Sequence, residues 1–166
     1  AGARHHVALP VVGSDGLPDN GYLRAKVAQE KLIRESGIPY SILRATQFFE
    51  FLGAIAATGT QDGTVRLTSA ALQPIASTDV AAALTAVATS APTRRITEVA
   101  GPERRPMVEF VRDYLQYHHD PRKVVADDTV PYFGAVIDDA SLTPGADATI
   151  GGTSFETWLP RSLPPR

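Results

Sequence analysis

Apolar positions divide the chain into patterned stretches separated by glycine- and proline-bearing breaks. The first, His5-His6-Val7-Ala8-Leu9-Pro10-Val11-Val12, is closed by Gly13-Ser14-Asp15-Gly16. It predicts a strand buried on both faces, then a polar loop. Pro10 lacks the N–H that a central ladder needs, so it marks the end of regular pairing. A helix is predicted from about Gly21 to Ser36. Asp19 or Asn20 caps it, Ala25, Ala28, Leu32 and Ile33 recur at helical spacing, and Gly37 and Pro39 stop it. Tyr40 to Ala45 reads as a second strand, and Gln47–Thr58 as a more apolar helix. Gly59 to Gly63 is a turn, and Thr64–Thr68 alternates with period two as a half-exposed strand does. Gln73–Ala76 is a short edge segment. Ser77 or Thr78 caps a helix to about Ser90, whose apolar face is Val80, Leu84, Val87 and Ala88. Arg95–Ala100 is a further strand, ended by Gly101-Pro102. Pro106 suits the first turn of a helix with the stripe Met107, Phe110, Val111, Tyr114 and Leu115. Beyond Asp120 the pattern weakens to a strand at Lys123–Ala126, a short helix at Ser154–Leu159 and a proline-rich tail from Pro160 to Arg166.

Strand, helix and strand therefore follow one another within roughly 40 residues, the length of a βαβ unit with parallel strands. The predicted class is α/β, with at least one parallel unit and an irregular C-terminal third. Composition adds limits. Of 166 residues, 43% are apolar and 20% charged, which describes a folded domain and not a disordered chain. A net charge of -2 provides no basic excess for nucleic acid or an anionic membrane. The absence of cysteine removes disulfides, thiolate zinc sites and a cysteine nucleophile. No apolar run approaches the ~20 residues of a membrane span, and the N-terminus has no signal-peptide pattern. A soluble, cytoplasmic protein is expected.

The most informative chemistry is Tyr22 with Lys26. Four apart at the start of a helix, they share one face. An ammonium beside a phenol stabilises the phenolate, which turns a tyrosine into a usable acid or base near neutrality. The same spacing also fits a half-buried tyrosine beside a solvated lysine. His5-His6 in a strand point to opposite faces and chelate poorly, and His118-His119 suit a helix C-terminus, so no metal site is expected. Asp127-Asp128 and Asp138-Asp139 read as solvated loop carboxylates, and the Arg161–Arg166 tail as inert.

The context of the pair resembles a family. His5–Gly13, Gly21-Tyr22-Leu23-Arg24-Ala25-Lys26 and Glu30 to Phe51 (with Leu43-Arg44-Ala45-Thr46-Gln47-Phe48-Phe49) are similar to the NmrA-like, atypical members of the short-chain dehydrogenase/reductase superfamily. Gln73–Ala76 with Asp79-Val80-Ala81, and Glu98–Pro102, match in the same order. The resemblance covers most of residues 5 to 160. It implies a Rossmann-type sheet holding NADP(H) or NAD(H), with Tyr22 as the acid/base tyrosine and Lys26 as the cofactor-ribose lysine. Thr46 and Gln47 would pass the nicotinamide. Phe48 and Phe49, with Tyr132 and Phe133 of the irregular third, would line the substrate pocket.

Two departures qualify this. Such proteins hold the pyrophosphate with a glycine-rich turn, and this sequence contains no G-x-G-x-x-G or G-x-x-G-x-x-G. The resemblance starts at what would be the fifth strand. Residues 1–160 are therefore expected to form a partial Rossmann-like domain lacking the glycine-rich half, with 161–166 as tail. The chain would be a fragment, the ordered part of a longer one, or a degenerate member. The adenosine-ribose contacts that separate NAD from NADP would lie outside it. The family's catalytic serine is the second departure: Pro10 stands near its place, and Ser14, the nearest hydroxyl, is the candidate for its carbonyl-orienting role. The complete protein is expected to transfer hydride to a carbonyl or quinone-like small molecule, with this chain inactive alone. A non-catalytic NADP(H) sensor and an inactive structural fragment are the alternatives. Uncovered strand edges predict homodimerisation or pairing with a complementary N-terminal half.

Overall fold

Asn20 has the extended backbone of an N-cap, and its side chain accepts a hydrogen bond from the Leu23 N–H, so the helix that carries Tyr22 starts where its sequence allows. In the computed structural model, which describes residues 2–164, the elements run as follows. Strand β1 (His6–Ala8) leads to α1 (Gly21–Glu35) and β2 (Tyr40–Ala45). A 3₁₀ turn (Phe49–Phe51) leads into α2 (Leu52–Thr58), β3 (Thr60–Gln61), β4 (Thr64–Leu67) and β5 (Ala71–Leu72). Helix α3 (Ser77–Thr89), β6 (Ile96–Ala100), β7 (Arg105–Pro106) and α4 (Met107–Tyr117) follow, then β8 (Lys123–Ala126), β9 (Thr149–Ile150) and α5 (Phe155–Trp158). Ala1, Pro165 and Arg166, the last two belonging to the predicted tail, lie outside the described residues. No helix among the described residues is long and apolar enough to cross a membrane.

The main sheet has the order β1-β2-β6-β9, and every pair is parallel. The predicted βαβ unit is therefore present, with His6 opposite Tyr40 and Ala8 opposite Ile42. Strand β9 was not readable in advance: two exposed residues carry too little pattern, and their parallel pairing to Val99 and Ala100 makes them a strand. A second sheet, β3-β4-β8, begins with a hairpin whose turn is Asp62 (φ 48°) and Gly63 (φ 74°), a favoured two-residue pairing. Alternate residues of β2 separate the layers. Leu43 and Ala45 pack with Val80 under α3, while Ile42 packs with Ile33 under α1. The largest core lies beside the sheet, where the full stripe predicted for α4 is buried with Phe49, Leu52 and Trp158.

Two helix readings change. The stripe expected on α1 is not the buried face: Ala25, Ala28 and Leu32 are exposed, Leu32 at 69%. The helix instead turns Leu23, Glu30 and Ile33 inward, with Val27 partly covered. A charge decides this. Arg44, on the α1 face of β2, is buried, and its Nε and Nη2 each donate to a Glu30 carboxylate oxygen at 2.8 Å. The exposed Asp15 adds a third contact at 3.2 Å. The Glu30 hydrogen bonds drive the guanidinium pKa further upward against the opposing effect of burial. Neither Ser77 nor Thr78 caps α3. The N-cap is Ala76, and the Glu50 carboxylate accepts from the Ser77 N–H and hydroxyl, supplying the missing cap from another element.

Removing one partner strands a buried charge, so Glu30→Ala is expected to destabilise the fold by about 3–5 kcal/mol. The double variant Glu30→Leu with Arg44→Met should recover most of that loss. Urea unfolding curves measure both, and a Glu30→Ala midpoint equal to that of the parent would show the pair to be solvated.

Candidate functional site

The C-terminal ends of β1 and β2 and the N-terminal end of α1 converge on one cleft of about 700 Å³. Ligands of open parallel sheets bind at this end of the strands. Backbone bonds fix its floor. Val12 donates to Ala45, Ala45 to Pro10, and Thr46 to Val99 on β6, at 2.9, 3.1 and 3.0 Å. Beyond the strand, Ile75 donates to Gln47 and Phe49 to Ile75, both at 2.9 Å. The backbone of residues 45–49 is thus held on both sides.

Their side chains are not all satisfied. Thr46 is only 1% exposed, yet among the described residues neither its Oγ1 nor Oε1 of Gln47 has a hydrogen-bond partner. Both residues line the cleft. An unmatched buried polar atom costs about 1–3 kcal/mol, so such atoms need an explanation, and a ligand with complementary groups supplies one.

Tyr22 lines the mouth of the same cleft and is 61% exposed. Lys26 is beside it: Nζ lies 5.3 Å from the centroid of the Tyr22 ring, in cation–π range, and 3.5 Å from Oε1 of Gln29. The predicted pair is therefore assembled, with the ammonium held against the ring.

Ser14 is placed elsewhere. It is 1% exposed, its hydroxyl donates to the Val11 carbonyl at 2.6 Å, and it is not part of the lining. The turn that holds it depends on Gly13, at φ 79°, where a Cβ would overlap the Ser141 carbonyl oxygen. Pro10 and Val11, not a hydroxyl, border the cleft there.

The paired phenylalanines divide. Phe48 lines the cleft, but Phe49 is fully buried and stacks on Trp158 with ring centroids 5.2 Å apart, so it does not belong to the pocket. Phe48 is still extended and Phe49 opens the 3₁₀ turn, which sends the two rings apart. Phe51 joins the lining in its place. The expectation of an α-helix from Gln47 hid this change of conformation at Phe48, and nothing in the sequence singles Phe51 out.

Tyr132 and Phe133 both border the cleft, their rings edge to face at 4.8 Å. Burial pushes the Tyr132 phenol well above its usual range, and the Gln47 side chain acts in the opposite direction. Asn20, read from sequence only as a cap, also lines the cleft and donates from Nδ2 to the Phe133 carbonyl at 3.2 Å. Among the described residues the lining contains no Asp, Glu, Lys, Arg or His. The histidines are used elsewhere: His5 lies 3.0 Å from the Ser41 hydroxyl and His118 2.7 Å from that of Ser162.

No protein-family model matches the chain, and no curated protein matches its sequence. Solved structures share its fold. An NADPH-dependent quinone oxidoreductase from Escherichia coli superposes with a TM-score of 0.72 at 16% identity, over 97% of this chain and 68% of that protein. The NADPH complex of such an enzyme from the same organism gives 0.59 at 20% identity, over 76% of this chain and 45% of that one. A nucleoside-diphosphate-sugar epimerase from Staphylococcus aureus gives 0.64 at 14% identity, over 94% and 64%. The chain thus spans between 45% and 68% of these proteins and has their Rossmann-type α/β fold.

The split of the two phenylalanines is measurable. Phe49→Ala opens a core cavity and should lower stability by about 3–5 kcal/mol. Phe48→Ala, at the cleft wall, should cost clearly less. Thermal or urea unfolding orders the two, and the reverse order would contradict the placement.

Proposed function

We propose that these residues form the nicotinamide- and substrate-binding part of an NAD(P)H-dependent oxidoreductase of the NmrA-like short-chain dehydrogenase/reductase type, acting on a carbonyl or quinone-like acceptor. One observation carries the reading: Thr46 Oγ1 and Gln47 Oε1, buried and unpartnered among the described residues, belong to two residues that line the cleft Tyr22 borders. They fit the polar groups of a nicotinamide and its ribose, and Lys26 would hold a ribose hydroxyl. The fit extends to that end of the cofactor only, because the sequence has no glycine-rich turn for a pyrophosphate. In this reading the pyrophosphate cradle belongs to residues outside these 166. When bound, the nicotinamide supplies the hydride. The chain's own part is proton supply and exclusion of water. Tyr22 gives its phenolic proton to the acceptor oxygen, with the Lys26 ammonium against its ring as compensating charge. Phe48, Phe51 and Phe133 keep the acceptor dry. Among the described residues the lining has no charged side chain, which suits a neutral acceptor.

A second reading has its own observation. With Ser14 committed to the Val11 carbonyl, no serine among the described residues lines the cleft to orient a carbonyl, which supports a non-catalytic NADP(H)-binding sensor. The two readings separate in one experiment on the complete polypeptide that carries these residues. NADPH consumption is followed with a panel of aldehydes and quinones, and NADPH binding by its fluorescence. The enzyme reading expects turnover that Tyr22→Phe lowers about 10²–10⁴-fold while NADPH affinity is kept. Unchanged turnover in that variant removes Tyr22 from the chemistry. Tight binding with no consumption across the panel selects the sensor.

A further inference from the structure

We infer that Asn20 is a positioning residue that couples the start of the Tyr22 helix to an aromatic gate, the Tyr132–Ala135 hairpin, which closes over the ring of a flat, uncharged ligand. The ligand class rests on the cleft being the acceptor site proposed above.

The gate is a two-residue hairpin. Tyr132 N–H donates to the Ala135 carbonyl at 2.8 Å, and Ala135 N–H returns a bond to Tyr132 at 3.0 Å. Its central residues both have left-handed backbones, Phe133 at φ 45° and Gly134 at φ 87°. Glycine tolerates this freely, but a phenylalanine does not, because its Cβ meets the backbone. A bulky residue stays there only where its surroundings hold it, and such positions concentrate at ligand clamps. The side-chain bond that holds Phe133 comes from Asn20 Nδ2 to its carbonyl.

The flanks of the hairpin are fastened by the aspartate pairs that sequence reading left as solvated. Asp128 accepts from the Thr68 hydroxyl and from the N–H and hydroxyl of Ser69, and Asp139 accepts from the Ala71 N–H at 2.9 Å. Tyr132 and Ala135 are themselves buried in the largest core, so what the Asn20 side chain latches to α1 is the hairpin's tip, Phe133-Gly134. Asn20 is 8% exposed and uses both ends of its amide, Oδ1 on the Leu23 N–H and Nδ2 on Phe133. Any ligand that displaces Phe133 therefore acts on the cap of the helix that carries Tyr22, two residues on. Aromatic rings from three separate segments, Tyr22, the Phe48–Phe51 turn and Phe133, border this uncharged space, as the stacking of a flat ring requires.

Two variants of the full polypeptide separate latch from gate, with 2-methyl-1,4-naphthoquinone as the probe. Asn20→Asp keeps the acceptor that caps α1 but loses the donor to Phe133. It should speed hydrogen exchange at residues 130–136 at least tenfold, leave α1 protected, and weaken probe binding by calorimetry about tenfold. Phe133→Gly keeps the carbonyl and suits the left-handed backbone, so it should leave exchange at 130–136 no faster than in the parent and still weaken the probe about tenfold. Unchanged exchange in Asn20→Asp, or equal loosening of α1 and the hairpin, overturns the latch. Parental probe affinity in Phe133→Gly overturns the gate. A parent chain that takes up no quinone while Asn20→Asp loosens the hairpin selectively refutes the acceptor class and upholds the latch.

Discussion

The Arg44–Glu30 pair sets where everything else at this end of the sheet can be. Among the described residues it is the one buried charge pair between α1 and the sheet, with side chains 10% and 4% exposed. Desolvation consumes most of the attraction between two such charges, so the pair is better understood as a register device than as a source of stability. A helix shifted by one turn would leave an unpaired charge inside. The geometry extends from that point: α1 runs back eight residues from Glu30 to Tyr22, and the chain runs on four from Arg44 to Phe48. At helical and extended rises both distances are about 12–13 Å, which places Tyr22 level with the Thr46–Phe48 segment. That Tyr22 borders the same cleft as Thr46 and Gln47 thus follows from a bond made two helical turns away.

The irregular third is built on a different principle. Between β8 and β9 the described chain has no regular element, only a bridge between Tyr132 and Ala135 and a series of turns. Its order comes from aspartates that accept backbone and hydroxyl donors. Asp127 binds the Thr129 N–H and hydroxyl and pairs with Arg66, Asp138 binds Ser141, and these bonds hold both carboxyl groups below their ordinary pKa range. Leu142 and Ala135 then anchor the segment to the largest core. Side-chain-to-backbone bonds of this kind give a loop a defined path without a ladder, so the loop can border a cleft and still hold an aromatic pair in place.

Legibility in the sequence tracks how far each element depends on local pattern. The stripe of α4 was readable because all five of its apolar positions are buried. The βαβ unit was readable because caps, period and breakers agree. The buried face of α1 was not, since its central member is a glutamate, and hydrophobic period cannot register a charge whose partner lies fourteen residues on. Tyr22, Thr46, Gln47, Phe48, Tyr132 and Phe133, all named from the sequence, line one cleft with Lys26 beside Tyr22, and their roles there are a proposal. Phe49 and Ser14 lie outside the lining because short 3₁₀ turns redirect side chains by a residue and leave little trace in composition, and Phe51, which no pattern singles out, lines the cleft. Asn20 showed half of its role, because a cap is local and its bond to Phe133 spans 113 residues.

The case for this cleft as the working site rests on where local costs accumulate. A left-handed phenylalanine costs about 1–3 kcal/mol, and each unmatched buried polar atom costs a similar amount. Domains are stable by only about 5–15 kcal/mol, so such features are rare and seldom adjacent by chance. Here Phe133, Thr46 and Gln47 all border one space, whereas the buried charge on Arg44, a few residues away, is matched on both sides. The fold satisfies Arg44, where register is at stake, and leaves Thr46 and Gln47 open, where a ligand can complete them. A core that merely packed badly would show its unmatched groups without regard to Tyr22, the carboxyl ends of the strands or the hairpin. Their coincidence with all three favours the proposed binding site over a packing defect.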